Sequence, residues 1–177
     1  MAKILAFAGS NSSTSINFKL VKYTISTIRN HDIQVMDMSK YTLPMFSVDL
    51  EKESGYANAL VELKDDIQQA DGLILSVNEH NGNPSAFFKN VLDWLSRVEL
   101  KFLDNTKILL MSTSPGRRGA SSSMEIINNS LPRFGGEVVA TFSLPSFNHT
   151  FEKKKGIIEE ELAKEHQQAV NSFLAAL

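Results

Sequence analysis

The densest run of polar side chains is Gly9-Ser10-Asn11-Ser12-Ser13-Thr14-Ser15-Ile16-Asn17. It follows an apolar stretch and opens a helical pattern. Free N–H groups point outward at a helix N-terminus, and the dipole there favours an anion. The run lacks the Lys of a nucleoside-triphosphate loop and the G-x-G-x-x-G spacing of a dinucleotide loop. It suits a terminal phosphate held by neutral donors. As a local pattern it is equally a polar loop with a Ser or Thr N-cap. Its place after the first strand of a βα unit favours the phosphate.

Two further loops carry matching chemistry. Asn78-Glu79-His80-Asn81-Gly82-Asn83-Pro84 contains a turn signal at Asn81-Gly82, and Gly82 lets main chain approach a flat ligand. Ser112-Thr113-Ser114-Pro115-Gly116-Arg117-Arg118-Gly119 offers small residues, main-chain donors and two guanidinium groups. Either loop alone is a turn. Gathered at one sheet edge with the first loop, they make a ligand site.

Composition narrows the chemistry. The 177 residues suit one domain, residues 1–177, and 42% hydrophobic with 21% charged residues is ordinary for a soluble protein. Eighteen Lys and Arg against twenty Asp and Glu leave a net charge of −2. That balance excludes a polyanion binder acting through bulk charge, so no nucleic-acid partner is expected. It also argues against the acidic surface of an electron carrier. With no Cys there is no disulfide, thiolate zinc site, iron–sulfur cluster or cysteine nucleophile. No nucleophile elbow or metal-ligand cluster is present either, so no catalytic side chain and no metal ligand is assigned. MAKILAFAGS is too short in its apolar run for a signal or spanning segment, which predicts a cytoplasmic protein with no membrane partner.

The elements that must position these loops alternate. Five apolar runs read as buried parallel strands: 3–8, 33–38, 72–77, 107–112 and 137–143. Helical spacing fills 15–29, 55–70, 84–98, 120–134 and about 157–176. Tyr56 and Ile158 fall on the predicted apolar faces. Right-handed crossovers then give a three-layer α/β/α sandwich around a five-stranded parallel sheet. The longest irregular stretches are 39–54 and 144–155, the second holding His149 and Lys153-Lys154-Lys155, which read as a solvated charge run.

On these residues the chain resembles the NADPH-dependent FMN reductase family, the flavodoxin-like group that includes quinone, chromate and azo-dye reductases. Gly9, Ser10, Ser15 and Asn17 match its G-S-x-R-x-x-S-x-N loop. Glu79, Asn81 and Gly82 match P-E-Y-N-G, and Lys89, Asn90, Asp93 and Trp94 follow as K-N-x-x-D-W. Ser114, Gly116 and Gly119 match S-x-G-x-x-G, and Leu43-Pro44-Met45-Phe46 resembles L-P-x-[FY]. The likeness spans about residues 3–145. Three positions depart from the pattern. Ser12 replaces an Arg, removing a bidentate phosphate partner; Asn78 replaces a Pro; His80 replaces a Tyr, leaving a smaller ring that can titrate.

The resemblance implies the strand order 2-1-3-4-5 and FMN as cofactor, with NADPH or NADH as donor. Ser10, Ser15 and Asn17 would hold the FMN phosphate with the main-chain N–H groups of residues 11–13, so Asn11, Ser12 and Ile16 belong to the same cradle. Glu79, His80, Asn81 and Gly82 would line the ring, and Ser114, Pro115, Gly116 and Gly119 its other edge. His80 is either a ring contact or a surface histidine in a turn. Arg117 and Arg118 are either solvated or ligands of the NADPH phosphates. The implied reaction is ping-pong hydride transfer to a small-molecule acceptor: a quinone, azo compound, chromate or free flavin. The rivals are a non-enzymatic electron carrier and a flavin-poor binding module of the same fold. The family also implies a homodimer or dimer of dimers; Phe87, Phe88, Trp94 and Leu95 serve either that interface or the core.

Overall fold

The computed structural model describes all 177 residues. In chain order the elements are β1 (Lys3–Ala8), α1 (Ile16–Thr27), β2 (Asp32–Met36), α2 (Val48–Ser54), α3 (Asn58–Gln68), β3 (Gly72–Val77), β4 (Glu79–His80), β5 (Asn83–Pro84), α4 (Ala86–Val98), β6 (Lys107–Thr113), α5 (Ser121–Ser130), β7 (Glu137–Leu144), α6 (Phe147–Thr150), β8 (Phe151–Glu152), β9 (Gly156–Ile157) and α7 (Glu160–Ala176). The main sheet is fully parallel with order β2-β1-β3-β6-β7. Counting only its five strands along the chain, this is 2-1-3-4-5.

The apolar runs explain the sheet. β1, β3 and β6 are buried along nearly their whole length, as central parallel strands covered on both faces must be. Alternate residues feed two cores. Leu5, Phe7, Leu73 and Leu75 pack with Leu60, Leu63, Phe88 and Trp94 of α3 and α4. Ile4, Ala6, Ala8 and Ile74 pack with Leu20, Val21, Val170 and Phe173 of α1 and α7. The edge strands β2 and β7 are more exposed, because each has one neighbour only.

Three expectations change. Tyr56 lies outside α3 and is exposed; its hydroxyl donates to Glu51 Oε1 at 2.9 Å and to the Arg97 carbonyl at 3.0 Å. Ile158 precedes α7 and is also exposed. The stretches read as irregular hold α2 on one side, and α6 with the β8–β9 hairpin on the other. These are short pieces whose packing, rather than periodicity, defines them.

His166 on α7 is a core residue. It lies against Tyr23 and Phe142, with ring centroids at 5.2 and 5.1 Å, and its Nε2 meets Thr24 Oγ1 at 2.8 Å. Burial lowers its pKa from 6.5 to about 4. Between those values the unfolded chain binds a proton that the native state refuses, so stability falls as pH drops through that window and is unaffected above it. The loss is expected to reach at most roughly 3 kcal/mol near pH 4. Urea unfolding at pH 7.5, 5.5 and 4.5 measures it. His166→Leu should flatten the profile, and an equally steep slope in that variant would rule the histidine out.

Candidate functional site

The first loop is built on buried anchors. Gly9 N–H donates to the Ser76 carbonyl at 2.9 Å, continuing the β1–β3 ladder, and the Gly9 carbonyl accepts from Ser85 Oγ at 3.0 Å. Ser10 is 7% exposed and its Oγ accepts from Ser12 N–H at 3.3 Å, bending the chain. Ser15 caps α1, accepting from Phe18 N–H at 3.2 Å. Asn11, Ser12 and Ser13 lie exposed above these anchors. The main-chain N–H groups of Ser10, Asn11, Ser13, Ile16 and Asn17 donate to no main-chain carbonyl. They form a rank of donors at the positive end of α1.

Asn17 has a different place from the one its motif implied. Its side chain is 2% exposed and bridges the sheet: Oδ1 accepts from Thr113 N–H at 3.0 Å and Ser76 Oγ at 2.7 Å, and Nδ2 donates to the Thr113 carbonyl at 3.1 Å. It ties the start of α1 to the ends of β3 and β6. The amide is therefore a positioning group, and the Asn17 main-chain N–H donates to no main-chain carbonyl. Ser12 Oγ likewise turns inward, meeting Thr14 Oγ1 at 3.2 Å and Thr14 N–H at 3.3 Å.

The second loop is the β4–β5 hairpin. Glu79 pairs with Pro84 and His80 with Asn83, leaving a two-residue turn at Asn81-Gly82. Both turn residues have positive φ, 52° and 75°, as a tight I′ connection demands. His80, Asn81 and Gly82 are exposed, and His80 Nε2 lies 3.1 Å from Asn78 Nδ2. Asn78 Oδ1 is buried without a partner, so one acceptor at the end of β3 stays uncommitted.

Glu79 does not point at open space. The N-cap position of α5 is Ala120, which has no capping side chain, and Glu79 Oε2 accepts from the Ser123 N–H at 3.0 Å in its place. Ser123 Oγ donates to the Asn78 carbonyl at 2.8 Å. The carboxylate thus caps a helix N-terminus remote in sequence and fastens the second loop to the third. Glu79→Ala is expected to cost about 1–2 kcal/mol, with Gln recovering most of it by keeping the acceptor. Chemical denaturation of the three proteins checks this; equal stabilities would show that the cap contributes nothing.

In the third loop Pro115, Gly116, Arg117 and Arg118 are exposed, and Ser114 is half-buried. Arg118 Nη2 donates to Ser122 Oγ at 2.9 Å. Gly119 is packed more tightly than its neighbours. It is buried at φ +58°, and a Cβ there would lie 2.4 Å from Ser143 Oγ and 3.0 Å from the Leu144 main chain. It seats the loop on β7.

Sequence reasoning missed the supports: Ser76, Thr113, Ser123 and Ser85. Ser85 had a signal, since it follows Pro84 just before a helix and caps α4 through Phe88 N–H at 3.1 Å. Asn90 and Trp94 of the K-N-x-x-D-W stretch also act as supports. Asn90 accepts from Phe46 N–H at 2.8 Å and donates to the Pro44 carbonyl at 2.9 Å, which Trp94 Nε1 also meets at 2.8 Å. They clamp the Leu43–Phe46 loop. Phe88, Trp94 and Leu95 are at most 3% exposed, so these three fill the core and are unavailable to an interface between subunits.

All three loops lie at the carboxyl ends of β1, β3 and β6, and the first two flank the point where strand order reverses. A parallel sheet of this order, with helix-terminus donors at its switch point, defines the flavodoxin-like class of α/β folds. Within that class, the chain belongs to the NADPH-dependent FMN reductase family, whose model matches residues 2–149. It is similar to the quinone reductase of Escherichia coli strain K12, 30% identical over 79 residues, which are 45% of this chain and 42% of that protein. It is also similar to NADPH:quinone oxidoreductase of Arabidopsis thaliana, 29% identical over 126 residues, 69% of this chain and 63% of that one. These matches therefore span less than two thirds of either relative. Among solved structures, the flavoenzyme NAD(P)H:(acceptor) oxidoreductase FerB of Paracoccus denitrificans superposes with a TM-score of 0.79 at 22% identity, covering 99% of this chain and 96% of that one. No helix is long and apolar enough to cross a membrane.

Proposed function

We propose that the chain is a cytoplasmic FMN-dependent NAD(P)H reductase passing two electrons to a small acceptor of the quinone, azo, chromate or free-flavin kind. One observation carries the reading: the rank of uncommitted main-chain N–H groups at the start of α1, beside the β1–β3 switch point. Neutral donors and a helix dipole suit a phosphate monoester. The uncommitted Asn78 Oδ1 and the exposed main chain at Asn81-Gly82 and Ser114–Gly116 suit a flat, polar-edged ring. The residues present thus fit FMN.

In this reading the N–H groups of Ser10, Asn11, Ser13, Ile16 and Asn17 hold the phosphate, with Ser10 and Ser15 shaping the loop. The hairpin of His80 to Gly82 and the turn of Ser114 to Gly116 orient the ring between them. FMN, when bound, supplies hydride acceptance from a nicotinamide and two-electron donation to the acceptor. Arg117 and Arg118, exposed beside the third loop, meet the phosphates of the nicotinamide nucleotide. No side-chain nucleophile is needed for this transfer. Donor and acceptor use the same open face in turn, so parallel double-reciprocal lines are expected, and intersecting lines would exclude this order. A homodimer built on the α4–α5 side would use the exposed Leu100 and Ile126; sedimentation velocity reads the state.

The deciding experiment is uptake of FMN followed by turnover. Fluorescence quenching on titration, then NADPH oxidation dependent on a quinone, is expected. Ser12 favours a second reading, a flavin-poor module, because its side chain is spent within the loop. Absence of FMN uptake in calorimetry would select that reading over the enzyme.

A further inference from the structure

The run Lys153–Lys155 is exposed. It forms the turn of the β8–β9 hairpin and faces Lys19 and Lys22 of α1 across a cleft of about 640 Å3. Aromatic rings floor the cleft: Phe147 and Phe151 stack at 4.7 Å, and Tyr23 meets Phe151 edge-on at 5.6 Å. The two walls are held in register. Gly156 lies so close to α1 that a Cβ on it would sit 1.9 Å from the Tyr23 ring.

The charges in this cleft are unbalanced. Of the five ammonium groups, Lys155 alone has a carboxylate within 4.0 Å, Glu152 at 3.1 Å; Lys19, Lys22, Lys153 and Lys154 take part in none of the chain's ion pairs. Lys22 Nζ rests over the Phe18 ring, 4.7 Å from its centroid. Like charges converging in one concavity repel, and a chain of net charge −2 has no general excess of lysine to place there. Concave low-dielectric walls focus such a field onto an incoming anion. The volume is that of a small-molecule site, and lysine serves phosphate as a point charge.

We propose that this cleft binds a small ligand carrying two or more phosphoryl groups, such as the polyphosphate of a nucleotide. The proposal does not rest on FMN binding. The cleft starts one helical turn beyond the phosphate loop, and its floor is bonded to the third loop: Ser146 N–H donates to the Gly116 carbonyl at 2.9 Å and Phe147 N–H to the Ser114 carbonyl at 3.0 Å.

Calorimetric titration of the full chain with pyrophosphate tests it, in low salt and with saturating FMN present. Micromolar binding is expected, weakening as salt rises. K19Q/K22Q and K153Q/K154Q, one pair per wall, should each raise Kd at least about tenfold. FMN uptake is measured on the same variants and should be unchanged. Pyrophosphate binding that stays above millimolar Kd, or that both variants leave intact, would overturn the proposal. Parallel loss of pyrophosphate and FMN binding would place the anion in the first loop and overturn it too. Competition then identifies the source. Displacement by NADPH and not NADH points to the extra phosphate of the dinucleotide; displacement by ATP points to a nucleoside polyphosphate; either upholds the shared chemistry.

Discussion

Replacing Asn17 by Ala is expected to lower the unfolding free energy by about 2–4 kcal/mol and to weaken FMN uptake at least roughly tenfold. The substitution strands three buried groups: the Thr113 N–H, the Thr113 carbonyl and the Ser76 hydroxyl. Each costs more when left unpaired in a dry site than its bond contributes net. The effect on FMN is indirect. Without the bridge, the first turn of α1 is no longer held against the ends of β3 and β6, and the N–H donors of the proposed phosphate loop lose their anchor. Asn17→Asp separates positioning from charge. It keeps the acceptor for Thr113 N–H and Ser76 Oγ, loses the donor to the Thr113 carbonyl, and buries a negative group beside the proposed phosphate loop. Its FMN affinity should fall below that of the Ala variant. Urea unfolding without FMN and fluorescence titration with it make the two measurements. Wild-type stability together with wild-type affinity in Asn17→Ala would remove the residue from both roles.

Gly119→Ala is the second large effect. An L residue at φ +58° costs roughly 1–2 kcal/mol in backbone strain. The added methyl meets Ser143 Oγ and the Leu144 main chain in a packed turn, adding about 1–3 kcal/mol. A fall in Tm of about 5–12 °C follows for a chain of this length. The Gly119 carbonyl also accepts from Ser112 Oγ at 2.7 Å and Ser143 Oγ at 3.0 Å, so any shift disturbs the join between β6 and β7. Combining Gly119→Ala with Ser143→Ala removes the nearer clash and leaves the Leu144 main chain in place. The pair should therefore recover part of the loss and not all of it. A Gly119→Ala protein melting within about 2 °C of wild type would show that the turn absorbs the methyl freely.

The general architecture was legible in the sequence because burial on both faces writes itself as continuous apolar runs. β1, β3 and β6 occur where those runs predicted them, and the order of the sheet follows from the family resemblance and chain handedness. Elements with weak periodicity were not legible. α2 buries no side chain, and the two-residue strands of β4–β5 and β8–β9 are too short for any pattern. Tyr56 and Ile158 were misplaced for a related reason: apolar spacing continued past the point where the backbone stopped being helical.

By itself, the sequence determined that three polar loops follow three buried strands and that the first opens a helix, since local turn chemistry and hydrophobic period are short-range properties. Tertiary structure alone decided which motif residues face outward. Asn17, Glu79 and Gly119 are turned to bridging the sheet, capping α5 and seating a turn, while the main-chain N–H groups of Ser10, Asn11, Ser13, Ile16 and Asn17 donate to no main-chain carbonyl. It also brought the lysines of α1 and of the β8–β9 turn, more than a hundred residues apart in sequence, to opposite walls of one cleft. The physical reason is the same in each case. A buried amide, carboxylate or glycine takes its role from the partner that satisfies or crowds it, and that partner lies on another strand or helix.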